Sequence, residues 1–288
     1  MANETTTLDT PSAWLRLDEK LLSGIVMVIG GTDSGKSTFV RHFAERLRGE
    51  RLVAVIDGDI GQTALGPPTT QTLSLCSPDF DFVCVARWFV GGISPAGHRE
   101  QTLVGLERLV QKAKKSGART ILIDTTGFIS PDAGGHTLKW SKFDLLRPAT
   151  LIALKKGEEL EPILSPWRKS GRFSMIELPL SNKVQKISPA RRKRIRQDNF
   201  RRYFQDATTI SVSLETTGVV GRWPLRKMQL VGLIDNEGFL LRLGIVERVE
   251  DEKIFVKAPL FDPKALDMVR TGSLLLDEKA GWIEQTIR

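Results

Sequence analysis

A glycine-rich segment with one lysine and several hydroxyl side chains follows an apolar run near the start of the chain. The segment is Gly30-Gly31-Thr32-Asp33-Ser34-Gly35-Lys36-Ser37-Thr38, and the apolar run before it covers residues 25–29. It fits the pattern G-x-x-x-x-G-K-[ST], in which backbone N–H groups face phosphate oxygens. In such a loop Lys36 can reach the β- and γ-phosphates and the Ser37 hydroxyl can bind Mg²⁺. The segment therefore predicts a nucleotide-phosphate site formed by residues 30–38.

Carboxylates follow two further apolar runs. Asp57-Gly58-Asp59-Ile60-Gly61-Gln62 comes after the run at 52–56, and Asp124 comes after the run at 120–123. Ionised carboxylates can neutralise phosphate charge through Mg²⁺ or accept the proton of an attacking hydroxyl. The residues alone leave a second interpretation open, in which each aspartate caps a helix or holds a loop. Their position beside a phosphate loop favours the chemical interpretation.

The pattern of apolar segments indicates how these residues are positioned. Predicted strands near 25–30, 52–56, 120–123, 151–154 and 175–178 alternate with predicted helices near 36–48 and 99–115. This alternation predicts an α/β fold with a mostly parallel sheet flanked by helices. The phosphate loop, residues 57–62 and residues 124–128 each follow directly after one of these predicted strands. Since ligands of such sheets bind beyond the carboxyl ends of the strands, we expect the three motifs to converge there.

Changes of pattern divide the chain into three parts. Residues 1–23 read as a polar tail and lead-in, and 24–207 as the nucleotide-binding domain, with a basic helix near 189–204. Residues 82–85 and 88–90 are strand candidates, whereas Gly66-Pro67-Pro68-Thr69-Thr70 is predicted to be a rigid loop. From 208 to 288, short alternating segments predict a small β-rich C-terminal domain.

Composition narrows the class of protein. The apolar fraction of 41% and the charged fraction of 26% are ordinary for a soluble globular protein, and no stretch approaches the roughly 18 apolar residues of a membrane span. Residues 1–10 do not resemble a signal peptide, so a cytoplasmic location is expected. Two cysteines and three dispersed histidines predict neither a disulfide framework nor a transition-metal site.

Positive charge is concentrated in one segment. The net charge is +8 at neutral pH, which favours polyanionic partners without identifying one. Seven cations occur within a dozen residues: Arg191, Arg192, Lys193, Arg194, Arg196, Arg201 and Arg202. Arg192 and Arg196 are four residues apart and therefore share a face of the predicted helix.

Taken together, the motifs resemble those of the polynucleotide 5′-hydroxyl kinase family, a branch of the P-loop NTPases. That family includes the RNA kinase subunit of the eukaryotic cleavage complex, a nucleolar rRNA-processing kinase and archaeal polynucleotide kinases. Its phosphate loop, Asp-x-Asp-x-Gly-Gln motif and Asn-Thr-x-Gly-Trp segment match residues 30–38, 57–62 and 124–128. Segments 66–69 and 89–98 also resemble family loops, and order and spacing agree over about 25–205.

The resemblance implies ATP-dependent phosphorylation of the 5′-hydroxyl end of RNA or DNA, with ATP and Mg²⁺ as cofactors. Lys36 would handle phosphates, and Ser37, Asp57 and Asp124 are the candidate metal ligands. Asp59 matches the residue that activates the acceptor hydroxyl. Arg192 and Arg196 match paired lid arginines that stabilise charge during transfer, although a solvated basic face that binds nucleic acid nonspecifically is the alternative.

The resemblance also indicates an acceptor site made of Gln62, Thr69 and Phe128. Phe128 occupies the place of a family Trp that stacks on the terminal base, although a Phe turned into the core is the alternative. The sequence departs from the family pattern here, since Asp124 replaces an Asn and Phe128 replaces that Trp. These departures leave nucleotide chemistry intact and leave the choice of acceptor open. Predicted partners are nucleic-acid ends and, through the C-terminal domain, either nucleic acid or a protein.

Two other functions compete with the kinase. One is a nucleotide-bound scaffold or assembly factor of the same family with little or no turnover. The other is a GTPase, suggested by the sequence Asp124-Thr125-Thr126-Gly127. Guanine-specific proteins usually carry Asn-Lys-x-Asp, whereas this chain has Asn182-Lys183-Val184-Gln185 and lacks the final carboxylate. The GTPase is therefore disfavoured.

Overall fold

The computed structural model describes residues 11–181, 185–279 and 282–287 of the 288-residue chain. The helices are α1 (Ser12–Leu15), α2 (Lys36–Leu47), α3 (Arg99–Lys115), α4 (Gly135–Leu146), α5 (Glu161–Leu164) and α6 (Pro189–Tyr203). The strands of the first sheet are β1 (Gly24–Gly30), β2 (Val53–Asp57), β3 (Thr70–Ser77), β4 (Phe80–Phe89), β5 (Thr120–Asp124), β6 (Thr150–Lys155) and β7 (Ser174–Pro179). Within these described ranges, no helix is long and apolar enough to cross a bilayer.

The first sheet has the strand order β4-β3-β2-β5-β1-β6-β7. From β2 to β7 every pairing is parallel, whereas β3 and β4 join one edge in antiparallel pairs. The strand that leads into the phosphate loop is therefore central, with β5 and β6 on its two sides. In β2 and β5 the Cα atoms of Asp57 and Asp124 lie side by side, so the register brings the two carboxylates together. The predicted mostly parallel α/β fold is confirmed.

Helices cover both faces of this sheet, and the two resulting cores explain why its strands read as unbroken apolar runs. On one face, α3 and α4 contribute Leu106, Leu109 and Phe143 to a buried cluster. On the other face, Phe39 and Phe43 of α2 share a buried cluster with Trp14 of α1. The apolar side of α2 thus holds the start of that helix at the carboxyl end of β1.

The second sheet is built from the C-terminal part of the chain. Its strands are β8 (Thr208–Ser213), β9 (Gly218–Val220), β10 (Gln229–Ile234), β11 (Leu240–Glu250), β12 (Lys253–Ala258), β13 (Met268–Asp277) and β14 (Ile283–Thr286). The order is β14-β13-β10-β11-β12-β8, with β9 beside β13. Phe89, Phe200 and Phe204 share a buried cluster with this sheet, so β4 and α6 pack against it. The predicted C-terminal β-rich unit is confirmed, and its first strand begins at Thr208.

Strand β3 and helix α4 are among the elements that the sequence pattern does not reveal. Residues 70–77 form β3, which is wholly buried although it contains Thr70, Gln71, Thr72 and Ser74. Polar residues in a buried strand hide the apolar signature on which strand prediction depends. Helix α4 was missed for a similar reason, because two buried lysines interrupt its apolar face. Residues 82–85 and 88–89, predicted as parts of two separate strands, belong to the single strand β4, which ends before Val90.

Candidate active site

The phosphate loop closes around the amine of Lys36. The side chain is buried, and its Nζ donates to the Gly31 carbonyl at 2.7 Å and to Ser34 Oγ at 3.3 Å. Burial lowers the pKa of Lys36, while the carboxylates of Asp124 and Asp59 act in the opposite direction. The loop therefore holds one cation at the start of α2, where the helix dipole also favours an anion.

Ser37 and Asp124 form a pair of oxygen ligands next to this loop. The Ser37 hydroxyl donates to Asp124 Oδ2 at 2.5 Å. Within the described part of the chain, the buried Oδ1 of Asp124 has no hydrogen-bond partner. Burial raises the pKa of Asp124, and Lys36 and the Ser37 hydroxyl oppose that shift. A carboxylate oxygen without a partner beside a hydroxyl fits Mg²⁺, a hard cation that takes oxygen ligands.

Asp57 organises the loop that follows β2. Its Oδ1 accepts from the Asp59 N–H at 3.1 Å, and its Oδ2 accepts from the N–H groups of Ala64 and Leu65 at 2.6 and 2.9 Å. Burial, and then the neighbouring Asp124, raise the pKa of Asp57. The structure thus shows Asp57 as a loop anchor, and its role as a metal ligand stays a prediction.

Asp59 lies in the loop after β2 in a half-buried position. Its Oδ1 accepts from the N–H groups of Gly61 and Gln62 at 3.1 and 3.0 Å, which fixes the orientation of the carboxylate. The charge of Asp59 raises the pKa of both Lys36 and Asp124, so all three side chains share one electrostatic environment. Gln62 remains half-buried next to Asp59, with its Nε2 donating to the Gly61 carbonyl at 2.8 Å.

The loop after β5 brings Phe128 close to the phosphate loop. A Cβ atom at Gly127 would lie 2.6 Å from the Thr32 Cα, so only glycine permits this approach of the two loops. Phe128 is half-buried and belongs to none of the buried clusters found in the described residues. The interpretation of Phe128 as a core residue therefore loses support, and its role in stacking stays a prediction.

Thr69, a predicted acceptor contact, lies in the interior, and its role at the acceptor stays a prediction. It is fully buried with φ 72°, and its N–H donates to the Ile60 carbonyl at 2.9 Å. Its own carbonyl accepts from the N–H groups of Val90 and Gly91 at 2.9 and 3.2 Å. Thr69 thus ties the Asp59 loop to the segment after β4, and its side chain offers no surface to a ligand.

The two predicted lid arginines have different partners. Arg192 forms an ion pair with Asp33 of the phosphate loop, and the same Asp33 oxygen accepts from the Ile187 N–H at 2.9 Å. Arg196 instead pairs with Glu284 of β14, with its Nε 3.0 and 3.1 Å from the two carboxylate oxygens. The start of α6 is therefore held at the phosphate loop by Arg192, while Arg196 is held by the second sheet.

Two buried lysines of α4 form part of the same charged region, although no sequence motif marks them. Lys139 donates from Nζ to Thr125 Oγ1 at 2.8 Å and to the Thr126 carbonyl at 2.6 Å, directly after Asp124. Lys142 is equally buried, and its Nζ has no hydrogen-bond partner among the described residues. Burial lowers the pKa of both amines. The available signal is the long connection between β5 and β6, because two successive parallel strands of one sheet need a crossover connection, usually a helix.

Opposite effects on stability are expected when these lysines are replaced separately by methionine. Lys139→Met should lower the free energy of unfolding by about 1–3 kcal/mol, because the buried Thr126 carbonyl loses its donor. Lys142→Met, the matched control, should be neutral or stabilising, since it replaces a buried amine without a partner by an apolar chain. Urea unfolding of the two variants measures both changes. Equal destabilisation by the two substitutions would show that the hydrogen bonds of Lys139 contribute nothing specific.

Comparisons with known proteins agree with this arrangement. Residues 30–206 match the family model described as mRNA cleavage and polyadenylation factor CLP1 P-loop. A polyribonucleotide 5′-hydroxyl-kinase of Pyrococcus furiosus is 37% identical over 202 residues, which cover 68% of this chain and 55% of that protein. This chain therefore spans about half the length of that relative. One from Thermococcus kodakarensis is 31% identical, with 94% of this chain and 81% of that protein covered.

Solved structures show the same fold at lower sequence identity. In the structure of the wild-type Clp1p–Pcf11p (454–563) complex, the matching chain has a TM-score of 0.68 at 13% identity, with 91% of this chain and 77% of that chain covered. This likeness concerns the fold alone. The family model, however, matches more than half of this chain and includes the phosphate loop, the Asp59 loop and α6. The chain therefore belongs to the CLP1 P-loop family.

Proposed function

We propose that this protein transfers the γ-phosphate of ATP to the 5′-hydroxyl end of RNA. The observation that carries the proposal is the position of Asp59, a carboxylate held by two backbone N–H groups in the same electrostatic environment as Lys36. RNA is the acceptor named for the archaeal relatives, and the one from Pyrococcus abyssi is matched over 94% of its length at 28% identity.

Each residue of the site has a separate role in an in-line transfer of the γ-phosphoryl group. Asp59 accepts the proton of the RNA 5′-hydroxyl while the 5′ oxygen forms a bond to the γ-phosphorus. The bond between the γ-phosphorus and the bridging oxygen of the β-phosphate breaks at the same time, and ADP leaves. Lys36 and Arg192 place positive charge beside the phosphates. Ser37 and Asp124 would hold Mg²⁺, which neutralises phosphate charge when bound. Phe128 would stack on the terminal base, next to the phosphate loop.

The direct test supplies the purified protein with γ-labelled ATP, Mg²⁺ and matched oligonucleotides. We expect label on RNA with a free 5′-hydroxyl, and none on the same RNA that already carries a 5′-phosphate. A DNA strand of the same sequence measures the preference for RNA. If ATP binds but RNA with a free 5′-hydroxyl stays unlabelled, the proposed activity is wrong.

One observation favours a second candidate, a nucleotide-bound scaffold. The Arg196–Glu284 pair is nearly buried, with 14% and 5% of the two side chains exposed, so one predicted lid arginine is engaged away from the phosphate loop. A protein that holds ATP for assembly would have no need to release this pair. Slow ATP consumption that no oligonucleotide accelerates would support the scaffold in preference to the kinase.

A further inference from the structure

The connection between β9 and β10 exposes an aromatic ring among positive charges. In this segment, residues 221–227, the side chain of Trp223 is 62% exposed. Arg222, Arg226 and Lys227 are exposed beside it, and the sequence from 216 to 234 contains no acidic residue. In the parts of the chain that the structure describes, Arg226 and Lys227 form no ion pair. We call residues 221–227 the Trp223 loop.

The Trp223 loop is anchored to the second sheet at both ends. The Arg222 N–H donates to Thr271 Oγ1 at 2.6 Å, and the Arg226 N–H donates to Gln229 Oε1 at 2.9 Å. Between them Leu225 is buried in the core of the sheet. The exposed ring is therefore carried by a fixed backbone, which reduces the entropy lost when a ligand binds.

A short series of contacts connects this loop with the Asp59 loop. Next to Thr271 in β13, the Ser273 N–H donates to the Gly91 carbonyl at 2.8 Å. A Cβ atom at Gly91 would lie 3.0 Å from the Gly272 Cα, so the two segments touch through their backbones. The segment after β4 in turn reaches the Asp59 loop, since a Cβ atom at Gly61 would lie 2.5 Å from the Ile93 carbonyl oxygen.

We propose that the Trp223 loop binds the RNA acceptor downstream of its 5′ end. This proposal rests on the proposed kinase function and extends it to a second contact on the same strand. An exposed tryptophan supplies a face on which a base can stack, and the neighbouring cations suit a phosphodiester backbone. The contacts through β13 and the segment after β4 make the loop continuous with the acceptor side of the candidate active site. The C-terminal β unit thereby acts in substrate binding.

The test compares a short and a long acceptor with the full-length protein. The substrates are a dinucleotide and a dodecaribonucleotide, each with a free 5′-hydroxyl. For Trp223→Ala we expect the ratio of KM for the long RNA to KM for the short one to rise about 10-fold, within the range for loss of one base–aromatic stack. Because phenylalanine keeps an aromatic face, Trp223→Phe should return this KM ratio most of the way to the wild-type value. Arg226→Ala combined with Lys227→Ala should weaken the salt dependence of binding to the long RNA.

The matched control is Phe80→Ala. Phe80 is also an exposed aromatic residue, and it lies at the far end of β4, about 30 Å along the strand from Phe89. This variant should behave as the wild type with both substrates.

Fluorescence anisotropy with 5′-phosphorylated RNA measures binding without catalysis, so it separates the two proposals. If the wild-type protein binds RNA but transfers no phosphate, the proposed kinase activity is wrong and the proposed RNA contact of the Trp223 loop is not. If Trp223→Ala binds and phosphorylates long RNA as the wild type does, the loop is not an RNA surface and a protein contact becomes the better account.

Discussion

Lys36→Met is expected to lower kcat for phosphoryl transfer to RNA by about 10³-fold, the upper part of the range for loss of one transition-state charge contact. The amine is enclosed by the phosphate loop through the Gly31 carbonyl and Ser34, so no other side chain can take its position. Methionine has a similar length and no charge. Because burial already lowers the pKa of Lys36, the charge is costly to the folded protein, and the variant should fold as well as the wild type.

Single-turnover rates with saturating ATP measure this effect without a contribution from product release. Lys169→Met is the matched control, since Lys169 is exposed and, among the described residues, forms no ion pair. It should retain the wild-type rate. A rate for Lys36→Met within about 10-fold of the wild type would contradict the assignment of the phosphate loop as the reaction site, because a loss of one contact in the transition state cannot be that small.

Asp59→Asn is expected to lower kcat by about 10²- to 10⁴-fold, the usual contribution of a general base. Asparagine retains a side-chain oxygen that can accept from the N–H groups of Gly61 and Gln62, so the loop keeps its conformation. Its amide cannot take the proton of the 5′-hydroxyl. The affinity for ATP should therefore change little while transfer is lost.

Asp57→Asn separates this chemical effect from damage to the loop. Both oxygens of the Asp57 carboxylate accept backbone N–H groups, those of Asp59, Ala64 and Leu65, and asparagine keeps only one of these two acceptors. Asp57→Asn should therefore lower the free energy of unfolding by about 1–3 kcal/mol. Asp59→Asn should leave thermal unfolding nearly unchanged. If Asp59→Asn retained wild-type kcat with a folded protein, another group would have to be the base.

The sequence alone was sufficient for the phosphate loop and for most of the first sheet. The loop motif is contiguous, and its function depends on the backbone conformation of nine neighbouring residues. The apolar strands β1, β2, β5 and β6 were recognisable because strands buried on both faces carry unbroken apolar runs. Strand β3 was missed because its buried side chains include threonines, a glutamine and serines.

Tertiary structure alone decided which distant side chains meet. Arg192 and Arg196 look equivalent on one helix face, yet the first pairs with Asp33 and the second with Glu284. Likewise, nothing local to Lys139 shows that it holds the loop after Asp124, because that contact depends on how α4 packs against the sheet. Motifs record local backbone geometry, whereas pairs separated by 88 or 159 positions depend on strand register and on which helix faces meet. The phosphate loop can therefore be predicted from the sequence, because its motif is local. Which charged side chains form ion pairs around that loop depends on how the helices and the two sheets pack.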